Sequence, residues 1–301
     1  MSRTLFIINP NAGRIRQVWR DLEPRVSEWV DNFRTIITHH PDDIADILDQ
    51  SIRDDVDRII SVGGDGTNQH MVNALMLHRQ NYPEHELILG TIPAGTGRDF
   101  ARGMGIPLDT FEAAEYVLTQ ATPKQIDIGL AKFGSEKRYF HNFANAGIAS
   151  DVVARVEKSG KHQWSFLMSV LSSLASYRPE AVTIELDGEH WFEGNIIVAG
   201  IGNGKSTGQG ILLAPDAILD DGLFDVVIGE QMPLWELAQV FPKIYAGTHI
   251  GHRRVHHQRA KHVKIISRTG KAIGMDLDGE ASDGAVEIVY EIVPSAITML
   301  L

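Results

Sequence analysis

At 301 residues the chain is longer than one hydrophobic core usually serves, so two domains or one large α/β unit are expected. With 43% hydrophobic and 22% charged residues its usage is ordinary for a globular protein, which excludes a disordered or fibrous chain. A net charge of -11 argues against broad nucleic-acid binding, and the lack of cysteine excludes disulfides, thiolate chemistry and Cys-type zinc sites.

Leu5 to Ile8 reads as a buried strand running into Asn9-Pro10-Asn11-Ala12-Gly13. The apolar run meets Asn9-Pro10 too early for a secretory signal, so a cytoplasmic protein is expected. Ile36 to Thr38 is the next strand, and Pro41, Ile44, Ile47, Leu48 and Ile52 space out a helix with proline in its first turn. Two further strands, Arg58 to Val62 and Leu87 to Ile92, each run straight into a glycine-rich turn and then a helical pattern; the first of these helices is predicted to begin near Asn68. Strand, loop and helix in repetition predict an α/β domain with a parallel sheet.

From about Ile128 the texture changes to shorter runs: Phe140 to Phe143, Val182 to Leu186, Asn195 to Ile201 and Phe224 to Ile228. They predict a β-rich, sandwich-like second domain packed tightly against the first, leaving a cleft. Trp164 to Tyr177 and Pro233 to Tyr245 read as helices; Trp164, Leu167, Met168, Leu171 and Leu174 form a core-facing stripe in preference to a membrane-inserting one. No segment approaches the roughly 20 apolar residues of a membrane-crossing helix, so any membrane contact is expected to be peripheral.

Gly63-Gly64-Asp65-Gly66-Thr67 ends one apolar strand ahead of a helix. Glycines let backbone amides approach phosphate oxygens, and a helix start adds unpaired amide donors and a favourable dipole, which suits a polyphosphate. Asp65 cannot favour bare phosphate, so it suggests magnesium or a ribose hydroxyl between carboxylate and nucleotide. A tight turn needing glycine is the plainer alternative. A second such loop, Pro93-Ala94-Gly95-Thr96-Gly97-Arg98-Asp99-Phe100, follows the next strand, and in parallel sheets ligands gather at those carboxyl ends. The Asn9 loop adds a third at that edge, with a plain βα turn serving equally well.

Asn9-Pro10-x-x-Gly13, the GGDGT run and Pro93-x-Gly95-Thr96-Gly97-x-Asp99-Phe100 together resemble the diacylglycerol kinase catalytic domain family. So do Asp127-Ile128-Gly129, Asn145-Ala146-Gly147-Ile148, Gly208-Gln209-Gly210, Ala214-Pro215-Asp216-Ala217, Asp221-Gly222-Leu223-Phe224-Asp225 and Asp278-Gly279-Glu280, in family order. NAD kinases share the GGDGT loop but are expected to carry a different second one. Arg98 stands where the family usually has Asn, which could add a phosphate contact or alter the nucleotide pocket.

The resemblance implies a nucleotide-binding domain over residues 1–127 with 294–301 returning to it, and a β-rich lipid-substrate domain over 128–293. It implies an ATP site built from Asn9, Gly64, Asp65, Gly66, Thr67, Gly95, Thr96, Arg98 and Asp99. Asp65 would act on Mg2+ and the phosphates, although a loop-shaping aspartate and, for Asp99, a helix cap are the alternatives. Glu280 would be the general base for the lipid hydroxyl, Asp221 the anchor of a structural metal, and Asp127, a metal residue with Asp65 and Asp221, part of an aspartate and water network reaching towards the nucleotide; alone, Asp-Gly-Glu and Asp-Gly read as turns. The expected reaction is direct phosphoryl transfer from ATP to a lipid alcohol, diacylglycerol first, then a sphingoid base, phosphatidylglycerol or a polyprenol. NAD kinase follows, and a non-catalytic lipid or nucleotide sensor is the rival class. The partner is a lipid at a membrane surface, with no nucleic acid and a homodimer left open. The basic tract from His252 to Lys264 has three readings: a solvated loop face, a dock for anionic headgroups, or a histidine metal site.

Overall fold

The computed structural model describes residues 3–10, 15–148 and 177–301. The chain divides into two compact units, Met1–Ile126 with Ser295–Leu301, and Asp127–Pro294.

In the first unit β1 (Thr4–Ile8), β2 (Phe33–Ile37), β3 (Arg58–Gly63), β4 (Ile88–Pro93) and the end of β15 (Glu287–Leu300) form a sheet in the order β15-β4-β3-β1-β2. Every pairing is parallel, as the alternation of strands and helices predicts. Parallel strands are covered on both faces, which is why β1 is apolar along its length and buried throughout. In α1 (Ile15–Trp29) the buried residues Ile15, Trp19, Leu22 and Val26 recur at helical spacing, and Trp19 meets Phe6 of β1 with ring centroids 5.2 Å apart. Then come α2 (Asp43–Arg53), α3 (Asp65–Asn81), α4 (Asp99–Met104) and α5 (Thr110–Thr119), the last capped by the Asp109 carboxylate on the Phe111 and Glu112 amides.

Two helix starts differ from the sequence expectation, and β2 begins three residues before the expected Ile36. The second helix starts at Asp43, leaving Pro41 ahead of it. The third starts at Asp65 and not near Asn68, because Gly64 is extended (φ -99°, ψ -176°) and acts as N-cap; Asp65, Gly66 and Thr67 thus form its first turn.

The second unit is β-rich. It contains β5 (Pro123–Phe133) from Asp127 on, β6 (Glu136–Phe140), β7 (Phe143–Gly147), β8 (Glu180–Leu186), β9 (Glu189–Gly202), β10 (Phe224–Glu230), β11 (Val255–Ala260), β12 (His262–Ser267), β13 (Ile273–Leu277) and β14 (Glu280–Ala285). The order β14-β13-β7-β9-β8-β12-β15 is antiparallel, β10 joins β9 to β11, and β5 pairs with β6. Its core stacks Phe140 on Phe224 (5.6 Å) with Tyr290 edge-on to Phe140. The predicted strand Phe140 to Phe143 is instead two strands, broken where His141 and Asn142 turn their amides to Asp278. The helix after β10 is α6 (Leu234–Tyr245). The expected helix Trp164 to Tyr177 lies outside the described residues, apart from its last one, as do Asn11 to Gly13 of the first loop.

Candidate active site

The first unit gathers most of the proposed nucleotide residues at the carboxyl ends of β1, β3 and β4. The two glycine loops cross in direct contact: the Ala94 amide donates to the Gly63 carbonyl (2.8 Å), and a Cβ on Gly95 would lie 2.6 Å from the Gly64 Cα. Only glycine permits that approach. The Asn9 side-chain Nδ2 donates to the Thr67 hydroxyl (2.9 Å), tying the β1 loop to the first turn of α3. The first amides of α3 have no acceptor within the helix and are the donors this edge offers an anion.

Asp65 belongs to α3 but serves α4: its carboxylate accepts the Asp99 and Phe100 amides, both at 3.3 Å. Long, weak bonds of this kind leave oxygen lone pairs available, and one carboxylate combined with phosphate oxygens is the usual way a protein holds Mg2+, so Asp65 fits that ion. Asp99 is buried and takes the Arg102 guanidinium (2.8 Å), and Thr96 is exposed at the loop tip. Arg98 is left-handed (φ 57°, ψ 30°), and its guanidinium donates to the Gly95 (2.8 Å from Nε) and Leu108 carbonyls. It staples its own loop. The left-handed backbone also explains the family's Asn here, since Asn tolerates that region better than other side chains.

Sequence reasoning missed the support beneath the loops. The buried Asn68 accepts from Ser61 of β3 and Thr91 of β4, each at 2.9 Å, so one side chain sets the separation of the strands that carry both loops. Polar Ser61 and Thr91 within otherwise apolar strands are the available signal.

In the second unit Glu280 follows the two-residue Asp278-Gly279 turn (φ 51° and 83°) and pairs with Leu277 across the hairpin. Asp278 anchors that turn. Its carboxylate accepts the His141, Asn142 and Phe143 amides (2.9, 3.0 and 2.9 Å) and pairs with the His141 ring (2.8 Å). Burial alone would raise the Asp278 pKa, but the His141 charge and hydrogen bond and the backbone amides outweigh it and hold it below the usual value. Asp276, opposite Ala281, is pushed up to about 7 by burial, with the Asn145 amide and Gly279 N–H pulling the other way. Asn203 donates to the Asp127 and His141 carbonyls (both 2.8 Å), joining β5 to this anchor.

Asp127 is 2% exposed and accepts the Gly222 amide (2.6 Å), which places it beside the Asp221-Gly222 turn. The Asp221 carboxylate, however, takes the Leu223 amide and the Arg259 guanidinium, which also reaches Asp225 (3.5 Å). A cation at Asp221 would face that guanidinium, so these residues do not fit a structural metal. Among the described residues no group of three or more histidine or acidic side chains is arranged to hold an ion.

From Val255 the basic tract is mostly strand, with His252 to Arg254 in the turn ahead of it, and most of its charges are taken internally. Arg253 and Arg254 share the buried Glu236 (3.0 and 3.2 Å), His256 meets Glu230, His257 meets Asp225 (2.6 Å), and Lys264 meets Glu287 (3.0 Å).

Residues 3–131 match the diacylglycerol kinase catalytic domain and 142–301 the YegS C-terminal NAD kinase beta sandwich-like domain. A diacylglycerol kinase of Bacillus subtilis strain 168 is 31% identical over 93% of this chain and 90% of its own. The chain belongs to the diacylglycerol kinase catalytic domain family. It is therefore a lipid kinase, a phosphotransferase with an α/β domain followed by a β-rich one. Another similar family member, a "probable lipid kinase YegS-like" protein of Stenotrophomonas maltophilia strain K279a, is 30% identical over 88% of this chain and 85% of its own. A solved Bacillus anthracis strain Sterne structure assigned to the diacylglycerol kinases is 25% identical, with TM-score 0.80 over 99% of this chain and 97% of its own. Among the described residues of this lipid kinase, no helix is long and apolar enough to cross a membrane.

Proposed function

We propose that this lipid kinase transfers the γ-phosphoryl group of ATP to the free hydroxyl of diacylglycerol, forming phosphatidic acid and ADP. The observation that carries the reading is the crossing of the two glycine loops at the amino end of α3, which leaves backbone amides and the Asp65 carboxylate at one edge. Amides suit phosphate oxygens, and Mg2+ held by Asp65 would neutralise charge on the transferred group.

Glu280 is the proposed base. A lipid hydroxyl does not ionise at neutral pH, so a carboxylate that accepts its proton during attack accelerates transfer. The hydroxyl oxygen bonds to the γ-phosphorus as the bond from that phosphorus to the β,γ-bridging oxygen breaks. The proton passes to Glu280 and ADP leaves with the bridging oxygen. Asp278, gripped by three amides and His141, would keep Glu280 in place without touching substrate. Diacylglycerol is the acceptor on the strength of similarity to the Bacillus subtilis diacylglycerol kinase.

The test is radiolabelled transfer from ATP in mixed micelles to diacylglycerol, sphingosine, phosphatidylglycerol, a polyprenol and NAD. Labelled phosphatidic acid is the expected product. Label in another lipid would move the acceptor, and label in NAD alone would overturn the reading.

A further inference from the structure

We infer that the outer face of α6 is the surface by which this enzyme docks on an anionic lipid bilayer, with Trp235 and Tyr245 as its anchors. The helix has two unlike sides. Glu236 and Val240 are buried, Ile244 packs on the cluster of Phe143 and Leu213, and Phe241 packs beside Ile148. On the opposite side Trp235, Ala238, Gln239, Pro242, Tyr245 and Ala246 are exposed, Trp235 at 62%. Trp235, Ala238, Pro242 and Tyr245 recur at helical spacing, so a mostly apolar stripe faces outward.

The inward side is fixed by charge as well as packing. Arg253 and Arg254 both bind the Glu236 carboxylate, and the Arg253 hydrogen bond holds its pKa below the usual range. Helix rotation would strand a buried carboxylate, so the tract clamps α6 with Trp235 outward. The role of the basic tract is thus to orient the docking helix, with headgroup contact secondary.

A bilayer suits the face better than a second copy of the chain. A helix of 12 residues offers a strip about 18 Å by 10 Å, far below the roughly 800 Å² per partner of a stable dimer. Trp and Tyr, by contrast, are the side chains favoured at the membrane–water boundary. Charge agrees: the chain as a whole carries -11, yet this rim has exposed Lys243 and Arg253, whose side chain is 69% exposed. With Arg254, these cations exceed their carboxylate partners Glu236 and Glu230. The inference rests on the lipid-kinase reading, which is what brings the enzyme to a bilayer.

The test is flotation of the full chain, without ATP, on vesicles of phosphatidylcholine mixed with phosphatidylglycerol, and on phosphatidylcholine alone. Wild type should float with the mixed vesicles. Trp235→Ala with Tyr245→Ala should weaken that binding by about tenfold, and Lys243→Glu should weaken it on mixed vesicles only. Trp235 is 62% exposed, whereas Tyr245 also meets the Phe241 ring edge-on (5.6 Å), so the single variant Trp235→Ala, which should itself weaken flotation, is the one whose melting temperature and activity on a dispersed short-chain diacylglycerol should match wild type. No flotation of wild type, or undiminished flotation of the double variant, overturns the surface; so does a dimer in solution that the double variant splits. Loss of short-chain transfer by the wild type itself would overturn the kinase reading while leaving the vesicle result to judge the surface.

Discussion

At the scale of single residues, the proposed roles separate by what each side chain touches. Glu280→Gln keeps the size of the side chain and removes the base, so transfer should fall by about 10²- to 10⁴-fold while calorimetry shows unchanged ATP binding. Arg98→Ala keeps the left-handed backbone cost but frees the Gly95 and Leu108 carbonyls, and should lower stability by about 1–2 kcal/mol in urea unfolding. Arg98→Asn should recover part of that loss, because Asn tolerates the left-handed region. The close approach of Gly64 and Gly95 was legible in the sequence because it requires glycine and so leaves a local mark. The partners of Arg253, His256 and His257 were not, because Glu236, Glu230 and Asp225 lie 17, 26 and 32 positions away and meet them only through the pairing of β10 with β11 and the return of α6.

At the scale of elements, the β13–β14 hairpin couples the site to pH. Asp276 holds its proton up to about 7 in the folded protein but releases it near 3.8 when unfolded, so folding binds a proton between those values and stability falls as pH rises through that window. His257 acts in the same direction: its hydrogen bond to Asp225 raises its pKa, so its contribution is present below 6.5 and is lost as pH rises through the folded value. The melting temperature should therefore drop between about pH 4 and pH 7, by several degrees, with the smaller His257 share continuing above pH 6.5. Asp276→Asn, which keeps the acceptor for Asn145 and Gly279, should remove most of the drop; an unchanged profile in that variant would contradict the assignment. The turn of this hairpin and the strand–turn–helix pattern of β3 and β4 were readable from turn residues and, for β3 and β4, from apolar runs. The start of α3 at Asp65 was not, because a glycine N-cap leaves no capping side chain to read.

At the scale of the whole molecule, each unit has its own core and its own share of the chemistry. Arg259 stands on Asp221 where a structural cation was expected, so chelation should leave the melting temperature unchanged, while transfer should stop if Mg2+ acts at Asp65 with the phosphates as proposed. A fall in melting temperature with EDTA would show that the second unit holds a cation after all. The architecture was legible over the described chain because the texture of the sequence shifts near Ile128 from helix-spaced to strand-spaced apolar residues. The Arg259 contact at Asp221 was not legible, because the sequence motif carries no trace of an arginine that lies 38 positions away and folds onto it.

The measurement that bears most directly on the central claim is single-turnover transfer of labelled γ-phosphate to diacylglycerol by wild type, Asp65→Asn and Glu280→Gln, with ATP binding measured on the same samples. Wild type should label the lipid, Glu280→Gln should bind ATP and transfer almost nothing, and Asp65→Asn should lose its magnesium dependence together with its activity. Full transfer by Glu280→Gln would contradict that claim.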